Sequence, residues 1–185
     1  MKRLTLIKIH MLLASFMLPA AFMFLLTGGL YTWGIKGSYN SESTNLALST
    51  PLQADAESLQ ALVEKQLATR GLSKPSGKAK IKKGGTSYKL EWTGSDLDVV
   101  LEPTADPMVA TLTIKDTTWY RNFVQLHKAK GGTAFKVYAA ALAIALFIIL
   151  LSGFIMSVQV PALKRQALLT SVIGLLTFVA VVLLS

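Results

Sequence analysis

The chain has 185 residues, 52% of them hydrophobic, and a formal net charge of +9 at pH 7. It contains no cysteine, which excludes disulfides and thiolate chemistry, and only two histidines. The basic excess belongs partly to short segments flanking apolar runs, so it does not imply a nucleic-acid partner.

Residues 1–8, "MKRLTLIK", are short and basic and read as a cytoplasmic N-terminus. From Ile9 to Ile35 no side chain is charged. That stretch of roughly 27 residues exceeds the ~20 a helix needs to span hydrocarbon. A cleaved signal peptide has an apolar region of only ~7–15 residues and ends in a small-x-small site. Here the run finishes "LTGGLYTWGIKG", with Thr32 between two bulky aromatics, Tyr31 and Trp33, that suit an interfacial anchor. Residues 9–35 therefore read as a first transmembrane helix and uncleaved signal anchor. Pro19 is expected to kink it by removing one backbone bond.

Residues 36–54 read as a polar, Ser/Thr/Asn-rich linker without periodicity, running extended. A helix then begins with Asp55 as N-cap, carries Leu59, Leu62, Val63 and Leu67 on one stripe, and ends at Gly71 as C′ glycine. After "SKPSG" the apolar period shortens to that of a strand. Ala79 and Ile81 alternate with lysines, Gly84-Gly85 marks a turn, and Tyr88, Leu90 and Trp92 alternate with polar residues. A second turn at "TGSD" precedes Leu97, Val99 and Leu101, and "EPTADP" precedes Ala110, Leu112 and Ile114. These strands predict an antiparallel meander with one wet face, its other face covered by the helix, in a small α+β domain over 55–116. Residues 117–134 predict an amphipathic connecting helix capped by Asp116 or Thr117. Trp119, Phe123 and Leu126 share one side of it, Tyr120, Val124 and His127 adjoin, and Gly131-Gly132 breaks it.

Two more uncharged stretches follow, Val137–Leu163 and Ala167–Ser185, of roughly 27 and 19 residues. They read as transmembrane helices over 135–160 and 167–185, joined by a cytoplasmic loop at 161–166. Lys2, Arg3 and Lys8 precede the first helix, and Lys164 and Arg165 lie in the last loop; short basic segments of this kind stay in the cytoplasm. Every Asp and Glu falls between Glu42 and Asp116. The fold class expected is thus a membrane protein of three transmembrane α-helices, with the α+β domain inserted between the first and second and placed outside the cytoplasm.

The order of these parts resembles the PepSY-associated transmembrane (PepSY-TM) family of bacteria. The resemblance covers most of the chain and rests on "KIHMLLASFMLPAAFMFLLTGGLY", on the PepSY-like segment from Asp55 to Lys115, and on "FVQLHKAKGG" followed by "LLSGFIM". It implies a PepSY fold, similar to a module in the propeptides of thermolysin-like metalloproteases, with an inhibitory or protein-binding role. Larger members include haem b-containing ferric-siderophore reductases of the inner membrane. This chain has fewer membrane helices and fewer histidines than those.

A six-coordinate haem needs an axial ligand on each face of its iron. His10 opens the first membrane helix and His127 precedes the second; about 25 residues of helix at ~1.5 Å rise separate the two levels by roughly 35 Å. No single haem in one chain can use both, although a symmetric dimer or a partner subunit could complete the pair. Both histidines read as interfacial, with polar tips at headgroup level. Apart from His10, the three uncharged stretches hold no Asp, Glu, Lys, Arg or His, which argues against a proton or ion pathway. Thr27-Gly28-Gly29, Ser152-Gly153 and Gly174 read as small residues that let membrane helices approach closely.

Lys74, Lys78, Lys80, Lys82 and Lys83 read first as charges protecting an edge strand, and second as a surface for anionic headgroups or an acidic partner. Asp96 and Asp98 read as solvated acids beside a turn rather than a catalytic pair, since no nucleophile, histidine base or metal cluster accompanies them. No residue is assigned to catalysis, to a metal or to a cofactor. The function expected is that of a non-enzymatic, inner-membrane PepSY-type protein. It would act as an accessory or assembly subunit in the bilayer, with another integral membrane protein or a second copy as partner. The alternative is a reduced haem b-bearing reductase that works as a dimer or with a partner; the third option is regulation of a periplasmic protease.

Overall fold

A computed structural model describes residues 3–84 and 87–185. Lys2 and half of the turn read at Gly84-Gly85 lie outside the described residues. In chain order the elements are α1 (Arg3–Thr32), β1 (Tyr39–Ala47), α2 (Ala56–Thr69), β2 (Ala79–Gly84), β3 (Ser87–Thr93), β4 (Leu97–Pro103), β5 (Val109–Thr117), α3 (Trp119–His127), α4 (Thr133–Val158) and α5 (Pro161–Leu184). The chain divides into two compact units, one of residues through Phe22 together with Ala139–Ser185, the other of Met23–Tyr138.

Three helices, α1, α4 and α5, are long and apolar enough to cross a membrane. With 30, 26 and 24 residues each exceeds the ~20 that hydrocarbon demands. α1 starts at Arg3, a turn and a half before the uncharged run, and Pro19 lies inside it without ending it. Pro161 occupies the first turn of α5, where its missing N–H costs nothing. In the first unit burial is sparse: Met17, Ala20, Leu142, Ala145 and Ser152 are buried, and α5 buries no side chain at all. The close helix approach expected at Gly174 is not found there, for a Cβ at that position would meet nothing within 4 Å.

The second unit is built on a five-stranded antiparallel sheet of order β1-β5-β4-β3-β2. Strands β2 to β5 form the expected meander. α2 lies on one face, where Leu59, Val63 and Leu67 join Leu90, Trp92, Val99, Leu101 and Leu112 in a single apolar core. Asp55 is the N-cap, accepting from the Ser58 N–H at 2.8 Å. Gly71 has φ +67, and the Leu72 N–H bonds back to the Leu67 carbonyl, so the helix closes in a Schellman turn as the sequence predicts.

Four expectations need correction. Residues 161–166, read as a loop, form the first turns of α5, which begins at Pro161. The stretch read as a linker at 36–54 contains β1, paired with β5 from Tyr39↔Thr117 to Ala47↔Val109. Neither Asp116 nor Thr117 caps α3; the N-cap is Thr118, whose hydroxyl donates to the Ser38 carbonyl rather than capping the helix. Finally, α3 ends at His127, before Gly131-Gly132. Ala129 takes the left-handed conformation (φ +57) and the Lys130 N–H bonds to the Gln125 carbonyl, so alanine does the work usually given to glycine. The side of α3 bearing Trp119 and Phe123 is exposed, while Val124 and Gln125 are buried.

Candidate functional site

Two polar constructions stand out, and the first centres on Asp98. Alternation in β4 turns Leu97, Val99 and Leu101 to the α2 core and Asp98 to the opposite face. α3 lies over that end of the sheet, so the Asp98 carboxylate is buried rather than solvated. Its Oδ1 accepts from the Gly94 N–H at 3.0 Å. Its Oδ2 accepts from the Tyr39 hydroxyl at 2.9 Å and from Gln125 Nε2 at 3.2 Å, with Lys130 Nζ at 3.5 Å. The Tyr39 oxygen in turn accepts from Arg121 Nη2 at 2.8 Å and from Gln125 Nε2 at 2.9 Å. The Arg121 guanidinium also lies 4.6 Å from the Tyr39 ring centroid, and its Nη1 donates to the Lys36 carbonyl.

The network ties β1, β4, α3 and the approach to α4 into one block. Burial pushes the Tyr39 phenol above its ordinary 10.0, opposed by the Arg121 hydrogen bond and reinforced by the Asp98 one. Gln125 Oε1 and Arg121 Nε are buried and find no partner among the described residues. Asp96, two positions away, is exposed and takes no part in the network. The pair Asp96/Asp98 is therefore not a matched pair of acids: one is solvated, the other is the hub of a structural lock.

The second construction involves both histidines, each within its own unit. In the second unit His127 Nδ1 lies 2.8 Å from Thr27 Oγ1, its ring packs 4.8 Å from the Phe24 ring, and Gly28 lies beneath it, so close that a Cβ there would sit 3.1 Å from His127 Cε1. In the first unit His10 Nδ1 lies 2.8 Å from Ser152 Oγ, with Gly153 under its ring. The two sites are chemically alike: each histidine rests on the hydroxyl-glycine pair of an LL[ST]G sequence, "LLTG" at 25–28 and "LLSG" at 150–153.

The hydroxyl contacts favour one histidine tautomer. Thr27 Oγ1 donates to the Met23 carbonyl at 2.7 Å, and Ser152 Oγ donates to the Ile149 carbonyl at 3.0 Å. Each hydroxyl has one proton and has spent it on its own helix, so toward histidine it accepts. Both Nδ1 atoms therefore carry hydrogen, and both Nε2 atoms are left as the second nitrogen of the ring. Beside His127 a cavity of about 470 Å³ is lined by Thr27, Gly28, Tyr31, Thr32, Val124 and Lys128. A donating Nδ1 is the arrangement that orients an imidazole as a metal ligand through Nε2. No second histidine lines that cavity, so these residues fit one axial position of a haem and not the pair within one chain.

Sequence reading singled out both histidines and both small-residue pairs, but not that each histidine docks on one of those pairs. It missed the Asp98 lock. The one available signal was Val100, an apolar residue on the face assigned to water. Comparison of the chain with protein-family models, curated proteins and solved structures finds no match.

Proposed function

We propose that the chain is a PepSY-type accessory or assembly subunit of a bacterial inner-membrane complex, with its sheet domain outside the cytoplasm. The observation that carries this reading is α5. It is a 24-residue apolar helix that buries none of its side chains against the rest of the chain. Gly174 at its middle leaves open space of the kind that admits a second helix. Trp119 and Phe123, exposed on α3 while its other side is held by the Asp98 lock, offer a further contact outside the spans. The subunit binds and does no chemistry.

A photo-crosslinking amino acid at Val172 or Leu176, both exposed on α5, tests the reading in intact membranes. One discrete adduct with a different integral membrane protein is expected. Adducts with lipid alone, or with a second copy of the chain, contradict it.

A second reading is favoured by the histidine–hydroxyl contacts: one histidine would hold haem b and a second chain would complete its ligation. When bound, haem b would provide one-electron transfer across the membrane. The absorption spectrum of protein from haem-replete cells decides this, since a sharp α-band on dithionite reduction is required and a colourless preparation refutes it.

A further inference from the structure

β2 is an edge of the sheet, and its residues divide cleanly by face. Ala79 and Ile81 pack against the α2 core, while Lys80 and Lys82 are exposed on the other side. Lys78 precedes the strand on the same side. Lys130, from the α3–α4 turn, and Lys136, from the first turn of α4, come to the same place, and with Glu91 and Thr93 the five lysines line a groove of about 440 Å³. The carboxylates nearby are already engaged. Glu91 holds Lys82 at 2.6 Å and Lys89 at 3.1 Å, and Asp98 takes Lys130 at 3.5 Å. Among the described residues Lys78, Lys80 and Lys136 have no carboxylate within 4.0 Å.

Protection of an edge strand explains Lys80 and Lys82. It does not explain why Lys136, which lies on no strand and pairs with no described carboxylate, faces the same groove as Lys130, the Asp98 partner. Position supplies the missing reason. Lys136 is the last charged residue before the uncharged stretch Val137–Leu163, so one wall of the groove stands where α4 leaves its polar flank for hydrocarbon. A cationic groove at that level is matched by a phosphodiester anion whose acyl chains lie alongside the helix.

We infer that the groove between β2 and the start of α4 binds the headgroup of an anionic phospholipid and holds the sheet domain against the bilayer surface. This goes beyond the subunit role and rests on that reading only for α4 entering the membrane. Each surface lysine contributes roughly fivefold in preference for anionic lipid at low salt.

The full-length chain is reconstituted with equal phosphatidylglycerol and phosphatidylcholine, and the ratio of the two lipids retained after mild detergent extraction is measured. Wild type is expected to retain phosphatidylglycerol preferentially, and the Lys78→Gln/Lys80→Gln/Lys136→Gln variant to lose at least tenfold of that preference. Lys65→Gln, at an exposed position of α2, is expected to keep it. Near-ultraviolet circular dichroism confirms that the triple variant is folded; should it not be, single substitutions are read instead, with about fivefold expected for each. Equal retention of the two lipids by wild type overturns the inference, as does an unchanged ratio in the folded variants. Displacement of the retained lipid by millimolar inorganic phosphate would identify a free-phosphate site and overturn it too.

Discussion

Replacing Asp98 by asparagine should cost the second unit a large part of its stability. The amide keeps one oxygen for the Gly94 N–H. Its NH2 group, however, must face the Tyr39 hydroxyl and Gln125 Nε2, both of which donate to Asp98 Oδ2 in the native chain. One buried donor without an acceptor costs about 1–3 kcal/mol. Lys130 also loses its partner, a smaller term because its side chain is 26% exposed and screened by water. The expected loss is about 2–4 kcal/mol in total. For a domain of this size that lowers the melting temperature by about 10–25 °C.

The assay is a thermal melt of the full chain in mild detergent, followed by near-ultraviolet circular dichroism. Trp92 is the reporter, since it is buried and its indole N–H donates to the Gly77 carbonyl at 2.9 Å. Asp96→Asn, at an exposed acid, should stay within about 0.5 kcal/mol of wild type. If Asp98→Asn melts with Asp96→Asn, the carboxylate is not the hub of a lock and the description of the network is wrong.

Three further outcomes follow from local geometry. Ala129→Gly should raise stability by about 1 kcal/mol, because alanine at φ +57 bears a Cβ penalty that glycine escapes; an unchanged or lower urea midpoint contradicts the turn geometry. The Lys82 hydrogen bond holds Glu91 below its ordinary 4.5 in the folded chain, so the stability it contributes is present above pH 4.5 and is lost as pH falls through the lower folded value. Glu91→Gln should therefore flatten the acid limb of the stability curve, and parallel slopes for variant and wild type beneath pH 4.5 would refute the pairing. Nitrogen-15 imidazole spectra should show hydrogen on Nδ1 of both histidines, and Thr27→Val should alter the His127 signals while leaving those of His10 unchanged; an Nδ1 without hydrogen in wild type would contradict the hydroxyl contacts.

What could be read in advance followed apolar periodicity. The α2 stripe, its two caps and the four meander strands each bury alternate or helically spaced apolar residues, and each was visible. β1 was not, because it is an edge strand that buries only Leu46; backbone pairing with β5 and small contacts such as Ser43 with Thr113 hold it. Such a strand carries almost no apolar pattern. Asp98 escaped for a related reason: what buries it is a helix beginning more than 20 residues later, packed over a face that local alternation assigns to water. For the histidines, the residue types and the LL[ST]G repeats were legible, but the cross-docking depends on which helices meet, and sequence spacing does not state that.

The central claim is that the chain crosses the membrane three times with the sheet domain outside the cytoplasm. Because the chain has no cysteine, a single introduced one reports its own side of the membrane. A membrane-impermeant maleimide applied to the exposed face of the intact cytoplasmic membrane should label Lys65→Cys at once, and Gln166→Cys only after permeabilisation. Labelling of Gln166→Cys in intact membranes with Lys65→Cys protected would contradict the account.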